Sequence, residues 1–142
     1  MEIALKEARL ARDRDEVPVG AVIVDRNNNI LASNGNRIIE LSDPTAHAEI
    51  LCIREASKKI KNERLINCKI FSTLEPCLMC ASAISKVHID KLYFGAYDNK
   101  NGGIENFKFQ AKREHVFKTE IYGGIMENDC KVLIDNFFKK LR

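Results

Sequence analysis

The sequence predicts an α/β domain with one sheet held between helical layers. Three observations carry this. Segments with apolar residues at helical spacing alternate with short β-rich runs, in the order α-β-β-α-β-α-β-β-α. The run Val19 to Val24 is apolar and rich in branched residues without alternation, as in a strand covered on both faces. The chain has 142 residues, 45% hydrophobic and 30% charged, a balance that suits one globular domain and excludes a disordered tail.

Met1, Ala4, Leu5, Ala8 and Ala11 predict an amphipathic helix from Met1 to Asp15, which Pro18 closes. After the Val19–Val24 strand, polar residues Asp25 to Asn29 turn the chain, and Ile30 to Ser33 returns as the second arm of a hairpin. Asn34, Gly35 and Asn36 break that strand, and a polar loop runs to Pro44. Thr45 is the expected N-cap of a helix from Ala46 to Ile60. This helix is expected to be buried at its start and solvated at its end, where Lys58, Lys59 and Lys61 suit the negative pole. Cys68 to Thr73 is a third strand. Pro76 takes the first position of a helix reaching Ser85, and because Cys77 to Ser85 carries no charge, that helix is expected inside. Ile89 to Phe94 is a fourth strand, Gly95 to Gln110 is irregular around Gly102-Gly103, and Val116 to Tyr122 is a fifth strand. Cys130, Leu133, Ile134, Phe137 and Leu141 mark a closing helix from Met126. No repeat, low-complexity tract or linker divides residues 1–142.

The formal net charge of +3 permits a nucleic-acid partner without requiring one. No apolar run approaches the ~20 residues that span a bilayer. The first residues, MEIALKEARLARDRDE, lack the apolar stretch of a signal peptide, so the expected location is the cytoplasm. Five cysteines (Cys52, Cys68, Cys77, Cys80 and Cys130) make an odd count that argues against a disulfide framework. Some are expected as metal ligands, and Cys52, Cys68 and Cys130 as small core residues.

His47, Cys77 and Cys80 are zinc-ligand types at informative positions. Cys77 and Cys80, three apart at a helix start, share one face, and the positive end of that helix favours thiolates. Taken alone, Cys-x-x-Cys also serves structural zinc and redox chemistry. A structural site has four protein ligands; three leave a corner for water, whose pKa on catalytic zinc falls to about 7. Glu49 is an acid inside the apolar stretch AHAEILCI, where a carboxylate is costly without a partner or a task. Beside an activated water it is placed to carry protons to a leaving amine, whereas service as a fourth ligand would block that use. Glu75, next to Pro76, is expected to cap or orient the cysteine turn. His88 and His115 are expected at the surface.

His47-Ala48-Glu49 followed by Pro76-Cys77-Leu78-Met79-Cys80 matches the H-x-E and P-C-x-x-C signature of zinc nucleobase deaminases. The sequence further resembles the bacterial tRNA-specific adenosine deaminases. The resemblance is carried by EVPVGAVIV (Glu16 to Val24), Asn36-Arg37, DPTAHAEI (Asp43 to Ile50), TLEPCLMCASAI (Thr73 to Ile84), FGAYD (Phe94 to Asp98) and NFFKKLR (Asn136 to Arg142). It implies a three-layer α/β/α cytidine-deaminase-like fold with a mixed five-stranded sheet. It also implies hydrolytic deamination of the wobble adenosine of a tRNA anticodon to inosine, with one Zn2+ per chain on His47, Cys77 and Cys80 and Glu49 as proton shuttle. Asn36 is implied as a contact to the flipped base, through an amide that offers both donor and acceptor. The backbone around Ala48, at a helix start, is expected to help hold the base or the oxygen. The implied partners are an anticodon stem-loop, of an arginine tRNA with A at the wobble position, and a second copy of the chain in a homodimer; no membrane is involved. The sequence departs from the family at Glu63, where many members have tryptophan, and in the loop after Lys100-Asn101-Gly102, residues 103–118. The candidate RNA contacts near these places are Lys100, Lys112, Arg113, Lys139, Lys140 and Arg142.

Two other readings remain open at this point. A deaminase of a free base or nucleoside would use the same zinc ligands. A non-enzymatic zinc-stabilised RNA-binding module would need a fourth protein ligand, with Cys52 or Cys68 as the candidates.

Overall fold

The computed structural model describes residues 1–104 and 117–142. Among these residues the elements run α1 (Glu2–Arg12), β1 (Gly20–Val24), β2 (Ile30–Gly35), α2 (Ala48–Ile60), β3 (Lys69–Leu74), α3 (Leu78–Lys86), β4 (Lys91–Ala96), β5 (Glu120–Tyr122) and α4 (Glu127–Lys140). The five strands form one sheet in the order β2-β1-β3-β4-β5. β1 is antiparallel to both β2 and β3, whereas β3–β4 and β4–β5 are parallel, so the sheet is mixed.

All five residues of β1 are buried, because both sheet faces are covered. Val19, Ala21 and Ile23 join Ile70, Leu92 and Phe94 under α2 and α3. Val22 and Val24 face the other way, against Ala4 of α1. Leu5 and Ala8 of α1 meet Ala96 and the Cys130 and Leu133 side chains of α4 in a second cluster on that face. Each fully buried branched residue of this core contributes about 1.5–3 kcal/mol. The α1 backbone passes so close to β1 that a Cβ on Gly20 would collide with the Ala4 carbonyl and the Ala8 amide. The Ala4-Ala8-Ala11 stripe allows the same approach from the helix side.

Several boundaries differ from the sequence expectation, each for a physical reason. β2 continues through Asn34 to Gly35, because Gly20 and Ala21 of β1 pair with them. Thr45 does not cap α2: its N–H and hydroxyl both go to Asp43 Oδ1, at 2.8 and 2.7 Å, in a turn that delays the helix by two residues. Pro76 likewise precedes α3, and Cys77 is its N-cap. β4 starts at Lys91, since His88 takes a positive φ of 60° and Ile89 and Asp90 still belong to the turn. His88 is half-buried and stacks on Phe117, with ring centroids 4.6 Å apart. α3 is not wholly inside. It buries Cys80, Ala81, Ile84 and Ser85, while Leu78 and Met79 are each 37% exposed. Val116 and His115 lie outside the described residues. No described helix is long and apolar enough to cross a membrane.

Candidate active site and metal centre

The starts of α2 and α3 meet over β3. His47 and Cys77 are the N-cap residues, both with extended backbone (φ −68°, ψ 149° and φ −67°, ψ 170°). Glu49 and Cys80 follow within the first turns. His47 Nδ1 lies 3.5 Å from Cys80 Sγ and 3.8 Å from Cys77 Sγ. The three ligand atoms lie within 4.8 Å of one another. Among the described residues no fourth histidine, cysteine or acid joins them. Cys52 is instead buried in the core, with its Sγ 3.3 Å from the Ala21 carbonyl. Cys68 and Cys130 are core residues too.

These donors fit zinc. Tetrahedral Zn–S and Zn–N bonds of about 2.3 and 2.0–2.1 Å hold nitrogen and sulfur roughly 3.6 Å apart, which is the spacing found. The hydrogen bond from Cys80 holds the Cys77 thiol at about 4, with His47 assisting and burial opposing. Cys80 is pushed up, first by donating to Cys77 and then by burial. The hydrogen bond to Cys77 raises His47. Cys80, raised in this way, must give up a proton to ligate a metal.

Glu49 is 3% exposed, and burial raises its pKa. Its Oε1 lies 3.3 Å from Ser72 Oγ. Its Oε2 is buried without a protein partner, a costly state that a polar ligand at the site would relieve. His47, Glu49 and Cys77 line a cavity of about 850 Å³, with Cys80 buried beside them. Val17, Val19 and Ile38 supply apolar wall, and the end of α4 brings Ile134 and Phe138.

Asn36 also lines the cavity and is buried. Its side chain takes the Ala48 N–H at 2.9 Å. Since that N–H only donates, the atom facing it is Oδ1, which leaves the amide NH2 and a second Oδ1 lone pair for a ligand. The amide thus still carries both donor and acceptor capacity, and the Ala48 N–H has Asn36 as its partner. Glu75 does not cap the cysteine turn. Its Oε2 accepts the Asp98 N–H at 3.0 Å and orders the turn after β4. Gly103 presses on that cysteine turn: its N–H goes to the Pro76 carbonyl at 2.9 Å, and a Cβ there would strike the Cys77–Leu78 backbone.

Of the expected RNA contacts, Lys100, Lys139 and Arg142 line the cavity. Lys140 is exposed and not among its lining residues, and Lys112 and Arg113 lie outside the described residues. Sequence reasoning missed Lys131, which lines the cavity, and Glu16. The Glu16 carboxylate is 1% exposed, and its Oε1 accepts the N–H groups of Ile39 and Glu40 at 2.8 and 2.9 Å. The signal was present: Glu16 leads into the apolar Val17-Pro18-Val19, the same anomaly that singled out Glu49.

Residues 1–96 match the family model of the cytidine and deoxycytidylate deaminase zinc-binding region. The tRNA-specific adenosine deaminase of Rickettsia felis is 44% identical over 144 residues, covering all of both chains. That of Agrobacterium fabrum is 44% identical over 143 residues, covering all of this chain and 93% of the relative. A solved structure from work on A-to-I editing by tRNA:A34 deaminases superposes with a TM-score of 0.88 at 45% identity, covering 94% of this chain and 96% of that one. The three-layer architecture is thus the cytidine-deaminase-like fold. Full-length identity and a three-ligand zinc cluster beside a buried acid coincide, and the chain belongs to the tRNA-specific adenosine deaminase family.

Proposed function

We infer that this chain converts the wobble adenosine of a tRNA anticodon to inosine, with water replacing the 6-amino group and ammonia leaving. The observation that carries this reading is the orphaned Glu49 Oε2, buried at the cavity floor beside three zinc-ligand atoms. His47, Cys77 and Cys80 hold the zinc, which when bound activates water as a nucleophile at neutral pH. Glu49 takes one proton from the attacking water and delivers it to the purine ring nitrogen, then takes the second from the hydroxyl formed at C6 and delivers it to the amine, which leaves as ammonia. Burial raises the Glu49 pKa, the direction that suits a group that must both take and give a proton.

The Asn36 NH2 points the base by donating to an acceptor on the purine edge. Ala48 acts through Asn36, holding its amide in one orientation. An unstacked base fits a site this enclosed, and an anticodon loop supplies one at low cost. Lys100, Lys131, Lys139 and Arg142 line the cavity and are read as phosphate contacts. An arginine tRNA with A at the wobble position is the proposed substrate. The uncharged, exposed strip of Leu78 and Met79 on α3 is the proposed face for a second copy of the chain.

An arginine tRNA transcript with A at the wobble position should yield inosine, while free adenosine, cytidine and guanine stay unchanged. Glu49→Ala should keep one zinc per chain and bind the transcript, yet lose activity by about 10²–10⁴-fold or more. Efficient turnover of a free base with the tRNA inert would reverse the substrate assignment. An unchanged rate in Glu49→Ala would remove Glu49 from the chemistry.

A further inference from the structure

Ser72 is fully buried in β3, the central strand, directly below Glu49. Its position is fixed from both sides, by pairing with Ala21 of β1 and Phe94 of β4. Its Oγ stands 2.9 Å from the Leu74 carbonyl and 3.3 Å from Glu49 Oε1. A hydroxyl has one proton and two lone pairs, so it can donate to one of these oxygens at a time. It is nevertheless a partner for Oε1 in either state of the shuttle. It donates to the carboxylate, or it donates to Leu74 and accepts from the carboxyl group in transit. The other carboxyl oxygen, Oε2, has no protein partner.

We propose that Ser72 is a positioning residue for the deamination, tethering Glu49 Oε1 to the sheet so that Oε2 is the oxygen presented to the reacting water and the purine. The proposal rests on the reading of Glu49 as proton carrier. The terminal torsion of a glutamate is broad and nearly two-fold, so a carboxyl group without a tether swings and exchanges its oxygens. Proton transfer needs the oxygen within hydrogen-bond reach and aligned, and a group that spends most of its time turned away lowers turnover rather than binding. Ser72 does not line the cavity, so its loss removes no contact to the base or the RNA.

The test compares Ser72→Ala, Ser72→Val and Ser72→Thr with the unaltered zinc enzyme on the same tRNA transcript. Val and Thr have nearly the same shape and differ by the hydroxyl, so any cost of an added methyl falls on both. Ser72→Ala and Ser72→Val should lower kcat about three- to tenfold with KM within about twofold. Zinc should stay at one per chain, and Ser72→Thr should recover most of the difference from Ser72→Val. A crystal structure of zinc-loaded Ser72→Ala should show the Glu49 carboxyl group in more than one orientation. Undiminished kcat in Ser72→Ala, or equal kcat in the Thr and Val variants, would overturn the proposal. So would a single, unmoved Glu49 carboxyl group in the crystal. Glu49→Ala, run alongside, separates the two claims: if it stays active, the Glu49 reading fails. If it is inactive while Ser72→Ala is fully active, the tether alone fails.

Discussion

At the floor of the cavity every functional atom lies within a turn of a helix start, and both helices are pinned to the sheet by the same core. The wall is assembled differently. It joins the segment around Asn36–Ile38, the Tyr97–Asn101 turn and the end of α4, which lie about sixty and thirty residues apart and meet only when the chain is folded. The floor carries chemistry that tolerates little displacement, and its helix starts are anchored by buried residues such as Ala48, Cys52 and Ala81. The wall decides what reaches the floor, and its Asn36–Ile38 and Tyr97–Asn101 segments are held by polar contacts from Glu16 and Glu75. Damage to the floor should therefore abolish turnover, and damage to the wall should mainly weaken binding.

The largest effect belongs to Cys77→Ala. It should lose zinc and form no inosine above background, while transcript binding persists through the wall. Zinc binding should also depend on pH in a fixed direction. Cys77, held at about 4, brings its thiolate ready-made, whereas the raised Cys80 must give up a proton to bind. The apparent zinc Kd should fall about tenfold per pH unit from 6 to 8, more where His47 also releases a proton. A pH-independent Kd would contradict proton release from Cys80.

A smaller effect is expected at Glu16, whose Oε1 alone holds the Ile39 and Glu40 N–H groups. Glu16→Ala leaves both unpaired and should cost about 1–3 kcal/mol in thermal unfolding. It should raise KM severalfold through the loosened Asn36–Ile38 segment. Glu16→Gln keeps an oxygen at that place and should stay near the unaltered enzyme in KM. If the two variants behave alike, the anchor is not these hydrogen bonds.

The same contrast separates what could be read from the sequence and what could not. Residue type and spacing marked His47, Glu49, Cys77 and Cys80, because zinc ligation and a buried acid restrict which residues serve. The layered fold followed from periodicity. Both helix starts lie two residues later than expected, at α2 because Thr45 had a competing partner in Asp43. That small shift changes the chemistry, for it makes His47 and Cys77 caps rather than interior residues. The link between Asn36 and Ala48 spans twelve positions, and that between Glu16 and Ile39 spans twenty-three; local pattern carries neither. Lys131 looked like any solvated lysine until α4 was seen to close the cavity.

The smallest effects, and the sharpest test of the division, concern Lys131 and Lys139. Both are exposed residues of α4 that line the cavity, and neither touches the metal ligands. If they meet phosphates, each alanine variant should raise KM for the transcript about two- to fivefold, leave kcat and zinc content unchanged, and flatten the salt dependence of binding. Lys58→Ala, at the solvated end of α2, is the matched control, since it removes the same charge away from the cavity and should do neither. A fall in kcat at constant KM for either α4 variant would mean that the wall reaches into the chemistry, and the separation of floor from wall would have to be abandoned.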